Sequence, residues 1–229
     1  MINKTQYTHL LDLVKKRRTI RRFKPGPVPD DYITRIIELA RWAPSGFHTQ
    51  PWEFVVVKDP GIKARIVEAL EQKAPPIKDP DKALQEEDSY KAAPVFIFLC
   101  CDWRARVGLP GQPQEITEQV RSINTSSMAN AFLYLHLAAA SLGLASQWYT
   151  ATSRPGVEDA IKEIIGIPEA LSIYDMMVLG YAASPPGPKI IRDLGDMVHY
   201  DDCGVGDFRT DEEVAAYAEI TRAWCLSEH

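Results

Sequence analysis

Between Ile116 and Leu142 the chain carries one helix-length run, whose second half begins an apolar stretch, "MANAFLYLHLAAASLGLA" from Met128 to Ala145. At 1.5 Å per residue a helix over Ile116 to Leu142 is roughly 40 Å long. The apolar part is close to the length of a membrane span, but Asn130, His136 and Ser141 interrupt it and no second span follows. A helix that is apolar all round belongs inside a core. Its small residues, Ser126, Ser127, Ala129, Ala138, Ala139 and Ala140, let another helix come close. One small sheet does not cover so much apolar surface, so a second copy of the chain is expected to cover the rest.

The remaining elements fall around that helix. Leu10, Leu11 and Val14 share one face of a first helix that ends in the basic run Lys15 to Arg18. After "KPGPVP", Asp30 or Asp31 is expected to cap a second helix with Ile33, Ile36, Ile37 and Ala40 on one side. Phe54 to Val57 is β-branched and apolar and reads as a central strand. Ile62 to Gln72 reads as a helix, and Ala74 to Ala93, rich in proline and charge, as a surface excursion. "PVFIFLC" (94–100) is a buried strand, "LASQWYTAT" a strand, "GVEDAIKEIIG" a helix and "YDMMVLGYA" a strand. Asp211 to Trp224 is an amphipathic helix in the tail. The mixture lacks a regular βα alternation, which predicts an α+β fold with a central mixed sheet and a long buried helix.

Composition excludes some functions. A net charge of -5 argues against a generic nucleic-acid binder, which carries a basic footprint. Cys100, Cys101, Cys203 and Cys225 make no Cys-x-x-Cys pair and are too few for a disulfide scaffold, so they are expected as reduced thiols of a cytoplasmic protein. The N-terminus lacks the apolar core and cleavage site of a secretory signal. The five histidines are scattered, and no metal site is expected. No repeat or linker divides the 229 residues, which are expected to form one domain.

Two stretches stand apart. "RRTIRRF" (17–23) places four arginines between two helices of an acidic protein. Guanidinium forks match phosphate oxygens, and the Thr19 hydroxyl adds a donor; a solvated basic turn is the plainer alternative. "WAPSGFHTQPWEFVVV" (42–57) runs from a helix through a loop into a strand. Gly46 is expected to take a positive φ and bring the backbone near a flat ligand. Ser45, Thr49 and Gln50 offer donors and acceptors, while a helix C-cap with a rigid turn explains the loop equally well.

Taken together, an Arg-Arg-Thr-x-Arg run, a helix, and then Ala-Pro-Ser with Gln-Pro-Trp before an apolar strand resemble the nitroreductase family of FMN-dependent oxidoreductases. The resemblance extends through "LGLASQWYT" to "VLGY" (178–181) and covers most of residues 12 to 200. It implies that Arg17, Arg18, Thr19 and Arg21 hold the FMN phosphate, with Arg192 and Lys189 assisting. It implies that Pro44, Ser45, Gly46 and His48 line the isoalloxazine of the other subunit of a homodimer. Thr150 falls where the family presents a donor to flavin N5, the atom that gates electron traffic. The implied reaction is ping-pong: NAD(P)H, as NADH or NADPH, gives hydride to N5, and a flat aromatic acceptor such as a nitroaromatic or quinone then takes the electrons. Residues 72–115 correspond to a variable lid and substrate region, and 201–229 to a C-terminal extension.

Within the family, "APSGFHT" is similar to the loop of the iodotyrosine deiodinase branch, which implies reductive dehalogenation of halogenated tyrosines or phenols as the alternative. That branch uses a lid Glu and Tyr on its substrate; Glu86 and Tyr90 are the residues here with suitable spacing, although both are expected on the surface. A flavin-storage protein without turnover is the alternative from another class.

Overall fold

The computed structural model describes residues 4–73, 90–106 and 117–226. Its helices are α1 (Lys4–Lys16), α2 (Asp30–Ala40), α3 (Pro60–Lys73), α4 (Glu118–Ser141), α5 (Val157–Ile165) and α6 (Asp211–Leu226). Its strands are β1 (Phe23–Lys24), β2 (Trp52–Val57), β3 (Val95–Asp102), β4 (Ala145–Tyr149) and β5 (Leu171–Ala182). Among the described residues the chain divides into two compact units, one running to Ser184 and one starting at Pro185.

In the first unit β5 is the axis of the sheet. It pairs antiparallel with β3 on one side and with β4 and β1 on the other, and β2 follows β3. A parallel bridge between Thr19 and Ser146 supplies the mixed element. The strand expected over Phe54 to Val57 therefore lies at the end of the described sheet rather than at its centre. Its apolar run is only partly buried in the single chain: Val57 is buried, whereas Phe54, Val55 and Val56 are half-buried against the two core clusters.

Strand alternation sends neighbouring residues of β3 to opposite faces. Ile97, Leu99 and Cys101 join Ile33 and Ile36 of α2 and Met128, Phe132 and Leu135 of α4 in one core cluster. Phe96, Phe98 and Cys100 join Ile66 and Leu70 of α3 and Val157 and Ile161 of α5 in the other. With both faces covered by helices, β3 and the middle of β5 read as continuous apolar runs. Each fully buried side chain of this kind contributes about 1.5–3 kcal/mol.

α4 begins two residues later than the sequence suggests, because the Thr117 hydroxyl accepts Val120 N–H at 3.3 Å as an N-cap. It ends where Gly143 takes a left-handed φ of 73°. Burial is not complete around it: Ser122, Ser126 and Leu133 remain exposed in the single chain. α2 starts after Pro29 with Asp30 and Asp31 in its first turn, and neither side chain caps it. The surface expected to extend to Ala93 stops earlier, since Tyr90 and Ala93 are buried; residues 74–89 lie outside the described part. No helix among the described residues is long and apolar enough to cross a membrane.

The second unit holds α6 and a 3-10 turn over Val205–Asp207. Trp224 Nε1 donates to Pro188 O at 3.0 Å, and the His199 and Phe208 rings meet at 5.0 Å.

Candidate functional site

α1 runs directly into the arginine stretch. Arg17 N–H closes the last helical turn on Leu13 O, and the chain then extends so that Ile20 N–H donates to Ser146 O at 3.0 Å. This stitch holds Arg17, Arg18 and Thr19 beside the start of β4. Arg17 is half-buried, and burial lowers its pKa, with the charge of Arg18 lowering it further. No carboxylate pairs with Arg17 among the described residues. Arg18 Nη1 donates to the carbonyls of Lys15 and Arg17. Arg21 is exposed on the extended segment that leads into β1.

From Ser146, β4 carries the chain to Thr150, a span of about 13 Å at strand rise. Thr150 sits just past the strand, with φ −96° and ψ −10°, instead of inside it as the sequence suggests. Between the two ends lies an aromatic group. Trp148 stacks on His136 (5.7 Å, 16°) and meets Phe132 edge-on at 4.6 Å. Ser146 Oγ is 2.7 Å from His136 Nδ1, while His136 Nε2 is buried with no hydrogen-bond partner among the described residues. Burial, and then the charge of Arg17, push the His136 pKa down to about 3, so the ring is neutral.

The loop after α2 is strained and tightly seated. Gly46 N–H donates to Ser127 Oγ at 3.0 Å, Asn130 Nδ2 donates to Pro44 O at 3.2 Å, and Gln50 N–H donates to Ser45 Oγ at 3.0 Å. The glycine is required by proximity, not by φ: a Cβ there would lie 2.1 Å from Ile123 Cγ2. The positive φ expected at Gly46 falls on Phe47 (52°), His48 (57°) and Gln50 (47°). Three non-glycine residues in that region store about 1–3 kcal/mol each, a pattern of ligand-binding loops. Phe47 is 62% exposed, and His48 Nε2 and Gln50 Nε2 are 3.1 Å apart.

α4 separates these two groups. Ile123, Ser127 and Asn130 take the loop, whereas Met128, Phe132 and His136 face the other side, about half a turn away at 3.6 residues per turn. Within one chain, Ser45, Gly46 and His48 therefore do not meet Arg17, Thr19 and Thr150.

Beyond Thr150 a cavity of about 350 Å³ opens, lined by Cys101, Trp103, Met128, Thr150, Tyr174 and Asp175 among others. Asp175 was missed from sequence, although a lone acid in the apolar run "YDMMVLGY" is a readable signal. Tyr90 packs edge-on against Tyr149 at 4.8 Å in the core, which corrects the expected surface position, and Glu86 lies outside the described residues. Lys189 and Arg192 belong to the second unit, where Arg192 Nη2 donates to Asp196 O at 2.7 Å.

A family model described as the Nitroreductase family matches residues 14–181. The chain belongs to the nitroreductase family. NADH dehydrogenase of Thermus thermophilus is 27% identical over 192 residues, covering 76% of this chain and 87% of that protein. Iodotyrosine deiodinase 1 of Rattus norvegicus is 51% identical over 61 residues, which is 27% of this chain and 21% of that protein. The solved structure of oxidized iodotyrosine deiodinase bound to FMN and 3-iodo-L-tyrosine matches with a TM-score of 0.65 at 24% identity, over 85% of this chain and 100% of that chain. That likeness is one of fold, and the nitroreductase α+β architecture expected from the sequence stands.

Proposed function

We propose that this nitroreductase is an FMN-dependent NAD(P)H oxidoreductase that works as a homodimer and reduces flat aromatic acceptors such as nitroaromatics and quinones. The observation that carries the reading is Arg17. A half-buried guanidinium beside a second one, with no carboxylate paired to it among the described residues, is a site short of an anion. A terminal phosphate dianion answers that deficit, with Arg18, Thr19 and Arg21 around it. The strand from Ser146 to Thr150 then leads from a phosphate to a ring whose N5 meets Thr150. Bound FMN supplies reversible two-electron chemistry between the nicotinamide and the acceptor.

The protein's share is position and environment. Arg17 and Arg18 bind the dianion, and the Thr19–Ser146 stitch fixes their distance from Thr150. Pro44, Ser45, Gly46 and His48 act on the second copy's flavin, since α4 keeps them from their own chain's anchor. In support of a dimer, α1 buries none of its residues, while Tyr7, Leu10, Trp42 and Phe47 are 63%, 57%, 72% and 62% exposed.

The test is direct. The purified protein is expected to carry flavin absorbance, and anaerobic NADH or NADPH to bleach it. Arg17→Ala is expected to weaken flavin retention roughly tenfold or more, as for loss of a charge-assisted contact. Full retention refutes the anchor, and failure to bleach points to flavin storage. A reductive dehalogenase of halogenated tyrosines or phenols is the second reading, favoured by the local 51% identity to a deiodinase. Iodotyrosine turnover by the reduced protein, run beside nitroaromatics and quinones, separates the two.

A further inference from the structure

We propose that the cavity beside Thr150 binds a small aromatic molecule carrying a protonated amine, with Asp175 as the anionic partner. This goes beyond the flavin reading, because it needs the fold of the first unit and not the cofactor. The cavity, about 350 Å³, suits one ring with a short arm. Trp103 and Met128 give it apolar walls. Trp103 is fixed by its Nε1 donating to Ser172 Oγ at 2.9 Å.

Asp175 is 7% exposed, and its Oδ2 accepts Trp148 Nε1 at 2.6 Å. Among the described residues no ammonium or guanidinium pairs with it. One indole donor leaves most of a carboxylate's acceptor capacity unused, and a desolvated carboxylate without a counter-charge is unfavourable. A structural acceptor for Trp148 needs no charge, as an amide oxygen suffices. The site answers its deficit with a proton or with a cation from the cavity, whose lining includes the aromatic side chains of Trp103 and Tyr174.

The carboxylate is also preorganised. Asp175 lies inside β5 opposite Leu99 of β3, and Trp148 is fixed by Phe132 and His136. Burial, opposed by the Trp148 hydrogen bond, raises the Asp175 pKa to about 6. The other titratable groups facing the cavity stay neutral, since burial pushes Cys101 to about 12 and raises Tyr174. Arg121 stacks over the Trp103 ring, 5.4 Å from its centroid, and Arg104 is engaged by Asp102.

Calorimetric titration of the full chain, flavin-loaded and flavin-free, with phenethylamine and phenethyl alcohol tests the assignment. At pH 8 the ammonium is expected to bind roughly tenfold tighter than the alcohol, the scale of a charged hydrogen bond. That preference should fade as pH falls through about 6. Asp175→Asn keeps an acceptor for Trp148 and is expected to erase the preference. Trp148→Phe removes a donor to the carboxylate and is expected to move the pH midpoint upward. Equal affinities, an Asp175→Asn variant that retains the preference, or a midpoint unmoved in Trp148→Phe overturns the proposal. So does competition between flavin and amine, which would make the cavity the flavin-ring pocket. Amine binding in a chain that never takes up flavin leaves this inference standing and removes the cofactor reading instead.

Discussion

Gly46 and Asp175 act through different physics. At Gly46 any side chain meets Ile123 on α4, and a β-branched residue has little rotamer freedom to retreat. Gly46→Ala is expected to cost about 1–3 kcal/mol by overpacking, visible as a lower melting temperature together with weaker flavin retention. Unchanged melting would mean that the loop is free to lift from α4. Asp175 binds its proton more tightly in the folded chain than in the unfolded one, with a pKa near 6 against 3.8. The stability that this proton brings is full below pH ~4 and is lost as pH rises through about 6. Asp175→Asn is therefore expected to be more stable than wild type at pH 8 by on the order of 3 kcal/mol, with the two converging near pH 4. Urea titrations at both pH values check this. The arginine run and the "APSGFHT" loop were legible because their residue types are unusual together. The reason for Gly46 was not legible, since Ile123 is far away in sequence and the close approach exists only after folding.

Among the elements, α4 carries both core and site. Of the polar residues that interrupt its apolar run, two are attachment points, Asn130 to Pro44 and His136 to Ser146, while Ser141 only bonds back to Ala138 O; Ser127, one of the small residues, takes the loop. β3 and β5 were readable as apolar runs because helices cover both of their faces. The place of β2 at the sheet's end was not, since strand order is written in hydrogen bonds between distant segments. His136 gives α4 a pH signature. Its pKa is lowered from 6.5 to about 3, so its stability contribution is full above pH ~6.5 and is lost as pH falls. The difference in urea stability between wild type and His136→Asn is expected to shrink by about 2 kcal/mol from pH 7 to pH 5. A constant difference would mean that the ring protonates freely in the folded chain.

At the scale of the whole molecule, the half-turn across α4 between the glycine loop and the arginine anchor has a genetic consequence. If the proposed dimer shares its sites in this way, each polypeptide lends its loop to its partner and keeps its own guanidiniums, so two different lesions need not share a victim. At a flavin concentration well below the weakened Kd, chains bearing Arg17→Ala and chains bearing Gly46→Val are each expected to be nearly inactive alone. Unfolded together and reassembled at random in equal amounts, they should recover about a quarter of the wild-type sites, because half of the pairs reunite one sound loop with one sound anchor. A mixture no more active than its parents would show that each chain builds its site unaided.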